Sequence, residues 1–273
     1  MSHTYIVGSY LLLRRRCAMS IRSIKEGAKQ ALKGKWGIAI GVFFIYSIIS
    51  SVFASIPEDY NILFLLVMFL VSGPLYIGYC WFHLDLHRGP ELSVKTLFQG
   101  FSLNYVKNVI SYFLLTLFTL LWTLLLIIPG IIKGLAYSMT FFILRDRPDF
   151  SALQAITESR KMMNGKKKDL FFLLLSFIPW FIIPFILLII GITSIIVGIT
   201  TDPSLMFAGF ASLVIGLIAM LGISIYVTPY YMTALAVFYD DYVKPREDLT
   251  EQGPLSSNYD RTSDNYDLTK PVQ

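Results

Sequence analysis

Three side chains with metal-binding chemistry lie close together in the sequence, at Cys80, His83 and His87. A Cys-x2-His-x3-His spacing places a thiol and two imidazoles along one side of a helix, and zinc accepts such ligands. One helix would have to hold the ion alone, because His3 is the only other histidine. Interfacial histidines that bind water or lipid headgroups are more common, so we predict no metal site and no other cofactor.

Two neighbouring acids, Asp240 and Asp241, follow Tyr239 and form the second candidate site. Paired acids could serve an intramembrane protease or a proton relay. They lie where the last apolar run ends, near Lys244 and Arg246, so hydrated acids at an interface are the simpler interpretation.

A lone lysine, Lys133, lies within an apolar stretch, where an ionisable residue is a functional candidate. A lysine near a helix end also extends readily to the headgroups, and we favour that role.

The chain has no Gly-x4-Gly-Lys-Ser/Thr, His-Glu-x-x-His, Gly-x-Ser-x-Gly or Cys-x-x-Cys motif. We therefore predict that the protein is not an enzyme.

The elements that would hold these residues are apolar helices. Hydrophobic residues make up 55% of the 273 residues and charged residues only 15%, against about a quarter charged in soluble domains. The apolar residues occur in runs of about 20 or more, the length of a helix that crosses roughly 30 Å of hydrocarbon. Continuous rather than alternating runs indicate helices and not a barrel. The expected fold class is all-α, a polytopic helical membrane protein.

About six transmembrane helices are predicted, with amphipathic interfacial helices between them. The expected spans are Trp36–Ala54, Ile62–Phe82, Val109–Ile128, 131–144, Leu170–Ile199 and Leu205–Pro229, the last continuing as a helix to about Asp241. Kinks are expected at Pro74, Pro129, Gly130, Pro179, Pro184 and Pro229. The fourth span is short and requires a hairpin that turns near Pro129 and Gly130; the alternative is one long broken helix.

Three basic amphipathic segments flank the spans. Residues 20–33 place Ile24 and Ala28 opposite Lys25 and Lys29, which predicts a helix with its apolar face in the headgroups; a solvated basic leader is the alternative. A short helix is expected after Ser93 within 93–107. Residues 149–168 carry a Ser-x-x-Gln capping box and an Asn-Gly stop.

The charge distribution orients the chain. Residues 14–35 hold eight Lys or Arg and 145–168 hold seven, whereas 55–61 and 200–204 hold none. Positive charge marks cytoplasmic loops, so both termini are predicted to be cytoplasmic. The expected residues for binding anionic lipid or a partner membrane protein are Lys25, Lys29, Lys33, Arg160, Lys161, Lys166, Lys167 and Lys168.

We expect a single membrane domain at 19–243. Residues 1–18 are interpreted as an upstream extension, because their apolar stretch precedes three arginines and Met19 suits a start. Residues 244–273 are polar and are expected to form a disordered cytoplasmic tail. Its repeat (258–262 and 265–269) is either a docking motif or low-complexity sequence. Two cysteines are too few for a disulfide framework.

A possible internal repeat relates two segments. Proline, tyrosine and aspartate occur at the same offsets in Pro74, Tyr76 and Asp85 and again in Pro229, Tyr231 and Asp240. Three identities could also arise by chance in an aromatic-rich chain.

Three blocks carry a resemblance to a known family: WTLLLIIPGIIKGLAYSM, ALQAITESRKMMNGKKKDLFFLLLSFIPW and TPYYMTALAVFYDDY. They resemble the bacterial membrane-protein family catalogued as domain of unknown function 975, over roughly residues 19–243. Pro179 departs from it, because the family more often has glycine before the tryptophan. The resemblance implies an integral membrane protein without an assigned activity.

These patterns favour a non-enzymatic adaptor that binds anionic lipid and a partner membrane protein, with no role for nucleic acid. The alternative is a small permease or export subunit for amphiphilic compounds, with its proline kinks as hinges. A charged residue at the membrane midplane would have favoured the permease, and the predicted midplane positions carry none.

Overall fold

The computed structural model describes residues 20–54, 61–89 and 92–244, with the side chains of 53–54 and 61–68 excepted. Helix accounts for 87% of the structure, and the described residues contain no strand, which confirms the all-α class. The predictions for residues 1–18, the 55–60 loop and residues 245–273 lie outside this part of the chain.

The helices are α1 (Ile21–Leu32), α2 (Trp36–Ala54), α3 (Asn61–Arg88), α4 (Gln99–Ser102), α5 (Tyr105–Leu125), α6 (Ile127–Tyr137), α7 (Thr140–Asp146), α8 (Ala152–Met162), α9 (Lys167–Leu175), α10 (Pro179–Thr200) and α11 (Pro203–Val237). A 3-10 helix at Val94–Phe98 precedes α4, and a π-helical turn at Phe238–Val243 follows α11.

The amphipathic helix α1 forms as predicted. Ser20 caps it by accepting a hydrogen bond from the Ser23 N–H at 3.2 Å. The prediction that its apolar face lies in the headgroups is wrong, because Ile24 and Ala28 are buried within the protein. The far end of α11 covers this face: a methyl group added at Gly27 of α1 would lie 3.3 Å from the Val237 side chain. Protein takes the place of the headgroups because α11 extends far enough to supply an apolar surface.

A backbone-to-backbone contact joins α3 to the segment 94–102. A Cβ on Gly78 would lie 1.8 Å from the Leu97 carbonyl oxygen, and a Cβ on Gly100 would lie 2.0 Å from the Pro74 oxygen. Neither position can therefore carry a side chain without moving the backbone. The close approach buries Leu97 completely.

Pro74 lies inside α3 and lacks the N–H that would bond to the Leu70 carbonyl. The Tyr105 hydroxyl, at the start of α5, donates to that oxygen at 3.1 Å. The proline thus creates an acceptor that a neighbouring helix satisfies.

The helices α5 and α6 form the predicted hairpin, but the turn is at Leu126 (φ −159°, ψ 136°) and not at Pro129 and Gly130. Pro129 lies in the first turn of α6, where its missing N–H costs nothing. Gly130 allows the two helices to meet, since a Cβ there would lie 2.2 Å from Thr123 Oγ1. A single broken helix is thereby excluded.

The short break between α6 and α7 is closed by α8. The Ser159 hydroxyl donates to the Ala136 carbonyl at 2.9 Å and accepts from the Met139 N–H at 3.2 Å. The predicted capping box also forms, with Ser151 accepting from the Gln154 N–H and Gln154 accepting from the Ser151 N–H. The two hydrogen bonds of Ser159 fix α8 against α6 and α7, and the capping box fixes the residue at which α8 begins.

The predicted span Leu170–Ile199 is divided into α9 and α10. Pro179 begins α10 rather than kinking a continuous helix, because a proline is favourable in the first turn. α10 and α11 then pack as a hairpin through Gly191 and Gly209, where a Cβ on Gly209 would lie 2.8 Å from the Gly191 oxygen. α11 continues without a break past Pro229, as predicted.

Four helical segments of the described residues are long and apolar enough to cross a membrane: Tyr105–Leu125, Ile127–Asp146, Pro179–Thr200 and Pro203–Val243. A fifth is reached if α1 and residues 36–52, bent by 94°, count as one. Their outward faces are apolar and exposed, as at Leu124 (82%), Ile183 (71%) and Phe207 (70%). Such faces are compatible with lipid and unfavourable in water. The buried core lies where α1, α3, α7 and the end of α11 meet.

Candidate functional site

The ends of α3, α7 and α11 are joined by an ionic cluster, here called the Arg88 cluster, of Arg88, Asp146, Tyr239 and Asp240. Arg88 binds Asp146 through both Nη atoms, at 2.6 and 2.9 Å. Its Nη2 and Nε also donate to Asp240, at 2.5 and 3.1 Å. The Tyr239 hydroxyl donates to Asp146 at 3.0 Å. One guanidinium group thus satisfies two carboxylates from helices far apart in the sequence.

A second ion pair lies beside this cluster. Arg145 donates to Asp85 at 2.9 Å and to the Gln99 side-chain oxygen at 2.6 Å. Its guanidinium also lies 5.2 Å from the Trp81 ring centre. The pair connects α3, α7 and the short helix α4.

These contacts bear on the possible internal repeat and on the two acids. Asp85 and Asp240, which occupy equivalent positions of the two segments, each bind an arginine. The interpretation of Asp240 as a hydrated acid is wrong, because Arg88 binds its carboxylate. Asp241 lies 3.3 Å from His87 Nε2.

Lysines at helix starts contact carbonyls at helix ends. Lys35 Nζ, before α2, donates to the Gly89 oxygen beyond α3 at 3.1 Å. Lys107 Nζ, in α5, donates to the Pro148 oxygen beyond α7. The starts of α2 and α5 therefore lie at the same end of the protein as the ends of α3, α7 and α11. This end, which also holds the Arg88 cluster, is called the basic face below.

Two of the predicted binding lysines make contacts within the protein. Lys25 Nζ donates to the Ser176 carbonyl at 3.2 Å and lies 4.6 Å from the Phe177 ring centre. Lys166 Nζ donates to the Tyr242 carbonyl at 2.7 Å and lies 5.0 Å from that ring. Both carbonyls are at ends of helical segments, so these lysines also stabilise the fold.

The other predicted cations lie closer to solvent. Lys29, Lys33, Arg160, Lys161 and Lys168 are exposed, and Lys167 is half-buried. Lys29 lies 5.9 Å from the Tyr230 ring centre, and Lys161 is 3.4 Å from Glu158. All six belong to α1, α8 or α9 and their ends. These helices lie near the basic face, because α1 ends just before Lys35, α8 begins just after Pro148, and α9 begins next to Lys166, which contacts Tyr242.

The Cys80, His83 and His87 set is not assembled as a metal site. The Thr233 hydroxyl donates its single hydrogen to the Pro229 carbonyl oxygen, so its oxygen accepts a hydrogen bond from His83 Nδ1 at 2.9 Å. Cys80 is buried beside Tyr76. His87 points instead to Asp241. Among the described residues, His87, Asp240 and Asp241 place possible ligand atoms within 4.8 Å of one another, but Asp240 is already bound to Arg88. The absence of a metal stays a prediction.

Lys133 is held within the α5–α6 hairpin. Its ammonium group lies 4.3 Å from the ring centre of Trp122. A cation on an aromatic face is stabilised without an acidic partner, so a lysine at this depth does not require a catalytic role.

The arginines that organise the site were not identified from the sequence. Arg145 contributed there only to the positive charge of residues 145–168 and Arg88 was not considered, although the equivalent aspartates Asp85 and Asp240 signalled a need for cationic partners. Trp180 and Tyr226, whose rings lie 5.9 Å apart beside α1, were also missed. Their signal is the enrichment of tryptophan and tyrosine at helix ends near a membrane interface.

No curated protein matches the sequence, and no solved structure matches the fold. The family model described as "Protein of unknown function (DUF975)" matches residues 19–133 and 123–245, which includes every helix described above. The chain therefore belongs to the DUF975 family.

Proposed function

We propose that the protein is a six-span, non-enzymatic adaptor of the bacterial cell membrane, with both termini in the cytoplasm. Its basic face would bind the anionic leaflet and a partner membrane protein. The single observation that carries this proposal is the position of the exposed cations on α1, α8 and α9, at one end of the helices.

The count of six adds α3 to the five candidate spans. Residues 61–84 contain no Asp, Glu, Lys or Arg, and the 28 residues of α3 extend about 42 Å at 1.5 Å per residue. That length exceeds the roughly 30 Å of a hydrocarbon core. Six crossings also agree with the contacts that bring helix starts and ends to the basic face.

The orientation can be tested with single cysteines. In a chain lacking Cys17 and Cys80, Glu58→Cys and Asp202→Cys should react with an impermeant maleimide added to intact cells, whereas Lys168→Cys should react only after lysis. The reason is that the loops without Lys or Arg are expected outside. Labelling of Lys168→Cys in intact cells, with an intracellular cysteine protein unlabelled, would contradict the six-span orientation.

Lipid binding can be tested at cations that make no fold contact described above. Arg160, Lys167 and Lys168 changed together to glutamine should weaken binding to phosphatidylglycerol nanodiscs roughly 100-fold, at about 1 kcal/mol for each charge. The measurement is binding of the discs to the immobilised, detergent-solubilised chain. Raising the salt should reduce the difference, because the Debye length shortens.

The matched control exchanges charge for like charge: Arg160→Lys with Lys167→Arg and Lys168→Arg. This variant should bind nearly as the parent does. If the glutamine variant inserts normally and also binds like the parent, these cations only orient the chain and the adaptor proposal fails.

A further inference from the structure

A cavity of about 500 Å³ lies between α1 and the adjoining parts of α10 and α11. Its cationic side is formed by Arg22, Lys25 and Lys29 of α1, and its aromatic side by Trp180, Tyr226 and Tyr230. Ile21 and Glu26 complete the lining. The cavity therefore combines positive charge and apolar aromatic rings at one place.

The charge balance in the cavity is positive. Glu26 is the one acid of the lining, and it pairs with Arg22 at 2.9 Å. Lys25 uses one ammonium donor on the Ser176 carbonyl, which is uncharged, and Lys29 contacts only the face of Tyr230 among the interactions described. An ammonium group has three donors, so both lysines retain hydrogen-bonding capacity for an anion.

The aromatic side is continuous with the apolar surface of the spans. Trp36 stacks on Tyr226 at 4.8 Å, and Tyr226 lies 5.9 Å from Trp180. Trp180 is 48% exposed, and Ile183, one turn further along α10, is 71% exposed. Amphipathic rings of this kind lie at the headgroup level of a bilayer. A molecule with an anionic head and an apolar tail could place its tail along α10.

A larger cavity of about 650 Å³, between α5 and α8, provides a comparison. Lys107 is its only cation, and that lysine donates to the Pro148 carbonyl. The rest of its lining is mostly apolar, so it lacks the paired cations that an anionic head requires.

We infer that the cavity beside α1 is a specific site for one anionic phospholipid of the bilayer. Lys25 and Lys29 donate to the phosphate oxygens, while Trp180 and Tyr226 contact the glycerol and the first acyl carbons. The inference rests on the proposed function in that the basic face must meet an anionic leaflet. It goes further by naming a single stoichiometric lipid site instead of a diffuse attraction.

The test uses phosphatidylglycerol added to the full chain in an uncharged detergent, with bound lipid counted by native mass spectrometry. The parent should bind one molecule more tightly than the rest. Lys25→Gln with Lys29→Gln should lower its affinity roughly 30-fold and Lys29→Gln alone roughly fivefold, at about 1 kcal/mol for each ammonium group.

The matched control is Lys95→Gln, which removes one lysine that is also exposed but lies outside the cavity, and which should not change the affinity. Lys29→Gln makes the test independent of any folding defect in the double variant, because Lys29 is exposed. Trp180→Leu should lower the affinity severalfold with all charges retained.

The inference is overturned if Lys29→Gln and the double variant bind phosphatidylglycerol like the parent. Equal competition by phosphatidylcholine would show an apolar groove without anion selectivity, and displacement by glycerol phosphate would show a site for soluble phosphates; either result also overturns it. The detergent assay contains no leaflet, so its outcome is separate from nanodisc binding by the Arg160, Lys167 and Lys168 variant.

Discussion

Replacing Arg88 with methionine is expected to destabilise the protein by about 2–3 kcal/mol, because two largely buried carboxylates lose charge-assisted hydrogen bonds to a guanidinium group that is itself 30% exposed. Both carboxylates would lose the cation that they share, and their side chains are only 12% exposed at Asp146 and 18% at Asp240. The melting temperature in detergent should fall by roughly 5–10 °C. The ends of α3, α7 and α11 would separate, because no other cation contacts both acids in the part of the chain described.

A rescue experiment distinguishes charge from packing. Adding Asp146→Asn and Asp240→Asn to Arg88→Met should recover much of the lost stability, since the uncompensated charges are gone. Arg22→Gln is the matched control, because its pair with Glu26 is 87% and 57% exposed and contributes at most about 1 kcal/mol. If Arg88→Met melts like Arg22→Gln, the cluster does not hold the helix ends together.

Changing Gly78 to alanine should also have a large effect, about 3 kcal/mol, at the upper end of the usual cost of overpacking. The new methyl group would lie 1.8 Å from the Leu97 carbonyl oxygen, which belongs to the backbone and cannot rotate away. The segment 94–102 must then move from α3. Two measurements test this prediction. The melting temperature should fall, and trypsin should cleave faster at Lys95.

Gly41→Ala is the matched control for this prediction. Gly41 also lies inside a helix, but a Cβ there meets nothing within 4 Å. Alanine should therefore leave the stability unchanged or raise it by up to about 1 kcal/mol through helix propensity. Equal melting temperatures for the two variants would show that α3 and the segment 94–102 are not in backbone contact.

Much of the fold was predictable because lipid and helix geometry leave few choices. Long apolar runs predicted the spans, and local rules placed the α1 cap and the α8 capping box, since both depend on residues within one turn. The hairpin follows from charge, because the basic segments 14–35 and 145–168 lie on the same side only if the chain between them crosses an even number of times. Its turn was placed at Pro129 because proline is usually a breaker, whereas the first turn of α6 accepts it.

What the sequence could not supply were contacts between distant segments. The apolar face of α1 has the same sequence periodicity whether it contacts lipid or protein. Which of the two it contacts depends on how far α11 extends beyond its apolar span. The partner of Asp240 was likewise sought among nearby cations, although Arg88 lies on another helix. The cavity beside α1 depends on both facts, so it could only be recognised once these helices were placed together.

The Arg88 cluster also has a consequence for the order in which the chain assembles. Arg88 lies 58 residues before Asp146 and 152 residues before Asp240. At about 5–20 residues per second, Asp146 is synthesised roughly 3–12 s after Arg88, and Asp240 roughly 8–30 s after it. For most of synthesis the guanidinium group therefore has at most one of its two carboxylates. The segment that follows α11 completes the cluster, so the closed arrangement of helix ends is available only to a chain that has been translated past Asp240.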